Sequence, residues 1–489
     1  MALQWVALTL GMLLIIVACG GGGGGAADVT NPISAQPSTA VTTVGTVVED
    51  RTIWEYLTYE QQPSYTYAGV TYPPGPVSFF IQGHIAHDFW LDGNPDILIP
   101  INKAYASGVD TRFKPLIFKN TGTRFIEASN EVMNEMPSIP GIRRSYAFTD
   151  DIGSSGVFGV AHDTGDRDSA DALFISSGNV PADQTLTSIP TLPLADQLGR
   201  QNAVDAHAMA GGDIDGDGLT DFIVGEWRAT SGPYVLSQYN RDQWEVRRSH
   251  FLTSLLALPM VNPGAGEGGN LLLDLHLADL NDDGFDDLVA GFGHGSARSA
   301  LFINDGQGGF SHENKRDLPE SIYGVDNTLH LRTFSLDKDQ DGDLDLLIIH
   351  SRYEPYYAGY TFQFLVNDGT GLFSDATLSS FSYLSEQHFL SGRLEWTDNF
   401  YLLDVNQDGE LDIVGSDLSG VRLWLGRSDV SWEEVTVKTI EDHIGDPHIF
   451  VQMENGSVHA LVFQQSWIDR TGTANKIWID HVSLQGLKN

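Results

Sequence analysis

One nine-residue pattern, D-x-[DN]-x-D-G-x-x-D, constrains the fold more than any other feature of this chain. It occurs four times, beginning at Asp213, Asp279, Asp337 and Asp404. Oxygen atoms at positions one, three, five and nine, with the backbone carbonyl of position seven, suit a hard cation that takes six to eight oxygen ligands. Glycine at position six permits the sharp turn around such an ion. The pattern predicts about four structural calcium sites.

Each predicted site takes its ligands from one copy of the pattern. The residues are Asp213, Asp215, Asp217, Leu219 and Asp221; Asp279, Asn281, Asp283, Phe285 and Asp287; Asp337, Asp339, Asp341, Asp343 and Asp345; and Asp404, Asn406, Asp408, Glu410 and Asp412. An EF-hand is excluded, because position twelve, where it needs a bidentate glutamate, holds Val224, Ala290, Ile348 or Gly415. Each copy runs instead into a short apolar stretch, which is typical of a buried strand.

A second signal follows three of these strands. Asn-Asp-Gly begins at residues 304 and 367, and a weaker Asn-Thr-Gly begins at residue 120. Between apolar runs such triplets indicate a hairpin turn, because Asn and Gly tolerate positive φ. The repeating unit is therefore an acidic loop, a strand, a polar loop, a strand, a hairpin and a strand.

This unit resembles the FG-GAP/VCBS repeat of integrin alpha heads, fungal lectins and many bacterial surface proteins. The resemblance covers about residues 80–430 and implies an all-β chain folded as a single β-propeller, with roughly one blade per repeat. Degenerate copies at Asp88 and Asp163 and a last blade over about residues 440–485 bring the expected number to seven, with six or eight as alternatives. We expect weak or no metal binding at the degenerate copies, since Trp90 replaces an oxygen ligand in the first.

The N-terminus carries an apolar stretch that ends in Ile-Val-Ala-Cys-Gly at residues 16–20. This ending resembles a bacterial lipobox, which implies a signal peptide over residues 1–18 and acylation of Cys19, the only cysteine. The alternative is an ordinary secretory signal with an incidental cysteine. Residues 19–48 are rich in Gly, Ser, Thr and Pro and indicate a tether, which leaves 49–489 for the propeller. The expected location is the bacterial cell envelope, anchored by lipid, with the outer membrane favoured.

The charge of the chain restricts its partners. Sixty-five acidic and 27 basic residues give a net charge of −38, of which four calcium ions would neutralise only a small part. A surface this acidic repels phosphate backbones, so a nucleic-acid partner is excluded. It also repels anionic lipid headgroups, so membrane attachment is expected to depend on the acyl chains of Cys19.

A ligand-binding face is expected at the ends of the strands that lie opposite the metal loops. The loops there carry Glu226, Trp227, Arg228, His294, Arg298, His350, Arg352, Tyr353 and Tyr356. Aromatic rings stack on sugars, while Arg and Glu bind hydroxyl or carboxylate groups; the lectin and integrin resemblance implies a ligand on this face. The alternative is that these are ordinary surface loops. Histidines 84, 207, 276 and 330 precede the acidic loops at mixed offsets and are predicted to be half-buried strand residues.

The predicted metals are structural, because an all-protein oxygen cage leaves little room for a substrate. The chain has no G-x-S-x-G, H-E-x-x-H, P-loop or dinucleotide motif. The sequence therefore favours a calcium-stabilised, lipid-anchored surface module that binds a glycan or a surface protein, with no catalytic residue assigned. Two alternatives remain open. One is a polysaccharide lyase using His350, Arg352 and Tyr353, and the other is a scaffold subunit of an envelope complex.

Overall fold

The computed structural model describes the chain from Val44 to Gln485 with internal gaps. The gaps are residues 56–60, 63–64, 68–69, 73–74, 77–78, 82, 91, 104–114, 130–141, 150–153, 162–171, 178–186, 191–205, 227–233, 241–242, 248–270, 294–296, 355–358, 382–396, 418–419, 439–447, 454 and 467–475. The predicted signal peptide, Cys19, most of the tether and the degenerate copy at Asp163 lie outside the described residues.

Strands dominate the described residues, which confirms the prediction of an all-β chain. The first are β1 (Val44–Glu55), β2 (Gln61–Gln62), β3 (Tyr65–Tyr67), β4 (Val70–Tyr72), β5 (Gly75–Pro76), β6 (Phe79–Ile81), β7 (Ile85–His87), β8 (Asp96–Ile99), β9 (Ile101–Lys103), β10 (Leu116–Asn120), β11 (Phe125–Glu127), β12 (Ile142–Thr149), β13 (Ser154–Ala161), β14 (Ala172–Ser177) and β15 (Thr187–Pro190). The next are β16 (Ala206–Gly212), β17 (Asp221–Glu226), β18 (Tyr234–Asn240), β19 (Gln243–Arg247), β20 (Leu271–Ala278), β21 (Asp287–Gly293), β22 (Ala300–Asn304), β23 (Phe310–Asp317), β24 (Thr328–Leu336), β25 (Asp345–Arg352), β26 (Thr361–Asn367) and β27 (Phe373–Asp375). A short helix, α1 (Thr377–Ser380), precedes β28 (Phe400–Leu403), β29 (Asp412–Asp417), β30 (Gly420–Gly426), β31 (Trp432–Val435), β32 (Val437–Lys438), β33 (His448–Gln452), β34 (Val458–Ser466) and β35 (Lys476–Gln485).

Most of these strands form antiparallel sheets in which sequence neighbours pair. We number them in chain order: sheet 1 holds β7, β8, β10 and β11, sheet 2 β12–β15, sheet 3 β16–β19, sheet 4 β20–β23, sheet 5 β24–β27, sheet 6 β28–β31, and sheet 7 β33, β34, β35 and β1, with β32 parallel at its edge. A single pair, Gly293 with Leu329, joins sheets 4 and 5 into one continuous sheet. Strand β2 pairs with β5, β3 with β4 and β6 with β9, and each pair forms a separate two-stranded sheet.

Each acidic loop leads into a strand, as predicted, but it also follows one: the predicted unit has three strands, and the structure adds a first strand before the loop. The four loops connect β16 to β17, β20 to β21, β24 to β25 and β28 to β29. The second strands are the most buried, and β21 and β29 are buried along their whole length. Neighbouring sheets cover both faces of such a strand, which explains its continuous apolar sequence.

Sheets that follow one another in the chain pack face to face. Ile223 and Phe292 lie in one apolar cluster that joins sheets 3 and 4, and Val289 and Leu365 lie in another that joins sheets 4 and 5. Further clusters join sheet 5 to sheet 6 and sheet 6 to sheet 7. The Tyr146 ring meets Phe222 at 6.0 Å between centroids, which joins sheet 2 to sheet 3.

The packing order returns to its start. Phe118 of sheet 1 and Leu461 of sheet 7 belong to the same buried cluster, and Leu98 of sheet 1 packs in a cluster with Ile142 of sheet 2. Every one of the seven sheets therefore packs apolar or aromatic side chains against two others, and the order of this packing is cyclic. No described helix is long and apolar enough to cross a membrane.

Sheet 7 combines the two ends of the described chain. Strand β1 is antiparallel to β35, from Gly45 opposite Gln485 to Glu55 opposite Lys476. The strand begins at Val44, inside the range 19–48 predicted as tether. Val44 and Gly45 also pair with β32. The first strand thus completes the last sheet.

Candidate metal loops and central polar cluster

The four acidic loops share one backbone conformation. The glycine at position six has a left-handed φ in every copy: 80° at Gly218, 88° at Gly284, 100° at Gly342 and 90° at Gly409. The amide of that glycine donates to the position-one carboxylate, for example from Gly409 to Asp404 Oδ2 at 3.0 Å. The predicted sharp turn is therefore present, and it orients the first carboxylate into the loop.

The donor groups of these loops fit a calcium ion. Three carboxylates in each of two loops place oxygen atoms within 4.8 Å of one another; the sets are Asp213, Asp215 and Asp221, and Asp337, Asp339 and Asp341. Ligands on opposite sides of one calcium ion, each at 2.3–2.6 Å, lie about 5 Å apart. In the other two loops position three is an amide that donates to position five, from Asn281 to Asp283 at 2.9 Å and from Asn406 to Asp408 at 2.8 Å. A bound ion would supply positive charge to these carboxylates.

The position-nine aspartate has a second role that the sequence analysis missed. Asp412 is fully buried, and its two oxygens accept the amides of Val405 at 2.8 Å and Gly426 at 2.7 Å. Asp287 accepts the amides of Leu280 at 3.3 Å and Asn304 at 2.8 Å in the same way. One carboxylate therefore closes its own loop and fixes the end of the third strand of its sheet. Each oxygen keeps a second lone pair for a cation.

The degenerate copy retains this arrangement. Asp96 is fully buried and accepts the amides of Phe89 at 2.9 Å and Asn120 at 2.8 Å. Burial raises the pKa of both Asp96 and Asp412 to about 7. The sequence carries a signal for this structural role of position nine. The degenerate loop keeps Asp96 at position nine although Trp90 has replaced the metal ligand at position three.

Neighbouring loops also touch, through the side chain at position seven. Glu410 accepts Lys338 Nζ at 2.7 Å and Gln340 Nε2 at 3.3 Å, and both donors belong to the preceding loop. Partial desolvation and the nearby carboxylates of Asp341 and Asp282 raise the pKa of Asp343. The sequence analysis assigned only the backbone carbonyl of this position. The side chains make the loops of sheets 4, 5 and 6 a continuous row.

The hairpin asparagines strengthen the same row. The side-chain amide of Asn304 donates to Ile214 O of the preceding loop at 3.0 Å and to Asp286 O of its own loop at 2.9 Å. Asn367 repeats this pattern with Leu280 O at 2.9 Å and Leu344 O at 3.0 Å. The Asn of the hairpin triplet therefore joins successive sheets as well as forming a turn.

In the degenerate copy at Asp88 a lysine supplies positive charge. Lys119 Nζ lies 4.7 Å from the centroid of the Trp90 ring and 3.6 Å from Asp92 Oδ2. Asp88 still accepts the amides of Asp92 at 3.0 Å and Gly93 at 2.8 Å. The loop thus keeps the turn of the other copies while an ammonium group partly offsets the charge of its carboxylates.

This arrangement predicts that two substitutions create a further calcium site. Trp90→Asn restores an oxygen at position three, and Lys119→Met removes the competing ammonium, so the double variant should bind one more ion than the wild type. Calcium titration by calorimetry measures the number bound. Lys119→Met alone is the control and should bind the same number as the wild type. An unchanged number in the double variant would contradict the role assigned to Trp90.

A second group of polar residues lies where the first strands of the sheets meet. Arg144 NH1 of sheet 2 forms a 2.8 Å ion pair with Asp398 Oδ2 beside sheet 6, and NH2 donates to the carbonyl of Leu331 in sheet 5. Arg332 NH1 donates to Asp398 O at 3.3 Å. His84 beside sheet 1 bonds to the Tyr401 hydroxyl of sheet 6. These contacts join sheets that are not neighbours in the packing order.

We call this group the central polar cluster; its members are His84, Arg144, Asp274, His276, Arg332, Asp398, Asn399 and Tyr401. His84 precedes β7 and Asp398 precedes β28, so the cluster lies toward the end of the first strands opposite the metal loops. Asp274 and His276 are two residues apart on β20, which places both on the same face of the strand. The predicted strand location of His276 is confirmed.

The electrostatics of the central polar cluster are set by burial and by its arginines. Burial lowers the pKa of His84 and His276 to about 4, and the Arg332 guanidinium adds to that shift. Burial raises the pKa of Asp274 to about 6. Burial also acts to raise the pKa of Asp398, but nearby guanidinium groups, that of Arg144 first, hold it below its ordinary value. At neutral pH the histidines are uncharged and the arginines carry the positive charge.

The residues predicted for a ligand-binding face are only partly described. Trp227, Arg228, His294 and Tyr356 lie outside the described residues, as does the side chain of Glu226. Arg298, Arg352 and Tyr353 are partly exposed, and Arg298 forms an ion pair with Glu320. His350 does not lie on a loop as expected. It is a buried residue of β25, 3% exposed, and its Nε2 bonds to Gln363 Oε1 at 2.8 Å.

Arg298 and His350 line a cleft between sheets 4 and 5. Glu320, His330 and Gln363 also line it, and its volume is about 30 Å³. A space of this size holds about one or two water molecules, whereas sites for small-molecule ligands measure roughly 300–1,000 Å³. The cleft therefore does not admit a sugar ring.

A serine, a histidine and an aspartate also meet beside this cleft. His330 Nδ1 lies 3.0 Å from Ser299 Oγ, and its Nε2 lies 3.8 Å from Asp274 Oδ2. The latter separation is too long for a hydrogen bond, and Nε2 instead bonds to Thr333 Oγ1 at 2.7 Å. His330 is fully buried. This geometry indicates a buried polar chain rather than a nucleophile with its base.

Comparison with known proteins leaves the family open. No family model matches the chain, and no curated protein matches it. An Agrocybe aegerita lectin, solved for its recognition of non-reducing terminal N-acetylglucosamine, is 15% identical with a TM-score of 0.45, covering 78% of this chain and 90% of the lectin. A Bacillus licheniformis rhamnogalacturonan lyase is 11% identical with a TM-score of 0.38, covering 86% of this chain and 75% of the lyase. A Penicillium chrysogenum α-L-arabinanase bound to arabinobiose is 10% identical with a TM-score of 0.38, covering 70% of this chain and 92% of the arabinanase.

Proposed function

We propose that the seven sheets are the blades of a single FG-GAP/VCBS-type β-propeller with calcium in the four acidic loops. The cyclic order of packing supports this, as does the pairing of β1 with β35 in sheet 7. Radial repetition suits a chain of this length, because each sheet buries its faces against its neighbours. The metal loops then lie at one end of the ring and the central polar cluster toward the other.

On this scaffold we infer a non-catalytic module that binds carbohydrate. The observation that carries the proposal is the central polar cluster, where Arg, Asp, His, Asn and Tyr side chains from five sheets converge at a half-buried position. Such groups donate and accept hydrogen bonds in the directions that sugar hydroxyls require. Specific binding sites are built from few polar groups placed at a concave position. The proposal moves the ligand site from the outer loops to the centre.

A glycan and polysaccharide binding screen tests this function. The calcium-loaded protein should bind a defined class of saccharide, and Tyr401→Phe, which removes only a hydroxyl group, should weaken that binding. A folded, calcium-loaded protein that binds no saccharide on the screen would overturn the proposal. The same screen in EDTA shows whether binding depends on the metal loops.

The outer loops provide a prediction of their own. Replacing Trp227, Arg352 and Tyr356 together by alanine should leave carbohydrate binding within about twofold of the wild type if the ligand occupies the centre. A loss of about 1.4 kcal/mol in the free energy of binding lowers the affinity tenfold. A tenfold or greater loss, measured by calorimetry on a variant with unchanged melting temperature, would return the site to the outer loops.

One observation favours an enzyme as the second candidate. The neutral His84 imidazole bonds to the Tyr401 hydroxyl close to Arg332, and a lyase needs a base beside a cation that neutralises a carboxylate. A lyase would convert a polyuronate to an unsaturated, ultraviolet-absorbing product. Absorbance that grows with time and disappears in His84→Asn would establish this activity, whereas binding without product favours the lectin-like function.

We further propose that the module is attached to a bacterial envelope membrane through acylated Cys19, with the outer membrane favoured. The lipobox-like ending and the lone cysteine support this proposal. Metabolic labelling with a fatty-acid analogue should mark the wild type and not Cys19→Ser. Equal labelling of both proteins would contradict it.

A further inference from the structure

Two arginines in the central polar cluster stand out in a chain that is acidic almost everywhere else. The side chain of Arg144 is 15% exposed, and that of Asp398, its ion-pair partner, is 21% exposed, so both are largely withdrawn from solvent. Arg332 approaches the same residue from another sheet. The net charge of the whole chain is −38. Bringing two guanidinium groups together at a half-buried point is unfavourable unless anionic groups compensate them.

The anionic groups present do not saturate these arginines. A guanidinium group has five N–H donors. Among the described residues, Arg332 makes one hydrogen bond, a long one to a backbone carbonyl, and its guanidinium carbon lies 4.8 Å from the centroid of the Phe334 ring. The Nε of Arg144 is buried and has no described partner. Asp274, the other acid of the cluster, is buried and lies 3.8 Å from His330 rather than in a described ion pair with either arginine; burial raises its pKa, although the charges of Arg144 and Arg332 both act to lower it.

Unused N–H donors and positive charge therefore coincide in the central polar cluster, toward the end of the first strands opposite the metal loops. The cluster is narrow, because His84 and Tyr401 bond across it from sheets that are not neighbours. A sugar ring would have to remain outside the cluster, and only a substituent could reach the arginines. A planar carboxylate matches the fork of a guanidinium group in charge and in geometry.

We propose that Arg332 and Arg144 form a subsite for the carboxylate of an acidic saccharide, such as a uronic acid residue. This inference rests on the proposed carbohydrate-binding function and specifies its ligand class. The overall negative charge does not prevent it. At physiological ionic strength the charges of exposed groups are screened beyond about 8 Å, whereas a guanidinium group within about 4 Å of a carboxylate in a partly desolvated site attracts it strongly.

The test compares one polymer in two forms, using the full-length calcium-loaded protein. A polyuronate and the same polymer with its carboxylates methyl-esterified differ mainly in charge. We expect the wild type to bind the free acid at least tenfold more tightly, since a hydrogen bond to a charged group contributes about 1.5–3 kcal/mol. Equal affinity for the two forms would overturn the subsite. The affinity for the uronic acid monomer, compared with that for the polymer, shows whether the site binds a single carboxylate-bearing sugar or needs a saccharide chain.

Two arginine variants locate the site. Arg332→Met keeps most of the side-chain volume and should lose at least tenfold in affinity for the free acid while its weak affinity for the ester is unchanged. Arg124→Met, in the exposed turn between β10 and β11, also removes one positive charge but lies outside the cluster, and it should bind like the wild type. Binding through calcium bridges would survive Arg332→Met, and that result would overturn the proposal.

Failure of the carboxylate subsite and failure of the carbohydrate-binding function give different results. Binding of neutral saccharides that is unaffected by Arg332→Met overturns the carboxylate subsite and leaves the carbohydrate-binding function intact. A folded wild-type protein that binds no saccharide overturns both. Near-ultraviolet circular dichroism and the melting temperature in calcium show that each variant is folded, and Arg332→Lys, which keeps the charge, should recover part of the affinity.

Discussion

Removing calcium from the folded protein should lower its melting temperature by roughly 10–20 °C. A ligand present at 100 times its dissociation constant stabilises the folded state by about 2.7 kcal/mol per site, so four sites contribute on the order of 10 kcal/mol. The shift per kcal/mol is about 2–4 °C for domains of 150–250 residues and falls as the chain lengthens, so about 1–2 °C per kcal/mol is expected for a folded region roughly twice that size. Without the ion, carboxylates such as Asp337, Asp339 and Asp341 remain close together with little to offset their repulsion.

A thermal melt followed by circular dichroism, with 10 mM calcium and then with excess EDTA, measures this effect. Magnesium provides a matched control, because it demands shorter, octahedral coordination and keeps its own water molecules. It should restore only a small part of the lost stability. An unchanged melting temperature in EDTA would show that calcium does not stabilise the fold.

Asp412→Ala should be the most damaging single substitution in a metal loop, at a cost of about 3–6 kcal/mol in the free energy of unfolding. The estimate adds the cost of leaving two buried backbone amides without an acceptor, at about 1.5–3 kcal/mol each. The amides of Val405 and Gly426 would remain buried without an acceptor. Denaturant titration of the wild type and the variant, both in EDTA, gives the difference.

Asp408→Ala is the matched control in the same loop. Asp408 occupies position five, is exposed, and would act mainly as a ligand. In EDTA its replacement should cost less than about 1 kcal/mol, the usual range for exposed substitutions, whereas in calcium both variants should lose stability. Equal costs in EDTA would mean that position nine matters only through the metal.

Much of the fold could be predicted from the chain because the repeat is local. Position nine leads directly into a buried strand, and the hairpin triplet at Asn304 or Asn367 ends the third strand, so loop, strand and turn follow from residues that are close in sequence. The strands His448–Gln452 and Lys476–Gln485 lie within the range of about residues 440–485 in which the sequence predicts a last repeat. These features depend on short-range preferences, which a single sequence expresses well.

The central polar cluster could not be predicted, because it depends on distant parts of the chain. His84 and Tyr401 are 317 residues apart, and Arg144 and Leu331 are 187 residues apart. The weak local signal is a polar residue on alternate positions of an apolar strand, as with Asp274 and His276 on β20. It shows that one face of the strand is polar but not which other strands it meets. His350 illustrates the opposite error, since a histidine at a strand end was expected to be exposed and is buried.

The position of β1 between β32 and β35 has a consequence for how the protein is made. Its partner strand ends at Gln485, so the two pairing segments are separated by nearly the whole chain, and contacts of such long range form slowly. A nascent chain holds every sheet but the last before its final strand exists, and until then the apolar surfaces of sheets 1 and 7 that share one cluster are not fully covered. Ending the chain before Lys476 would remove β35, with which β1 pairs along most of its length, and would expose unpaired strand edges, which are sites for aggregation.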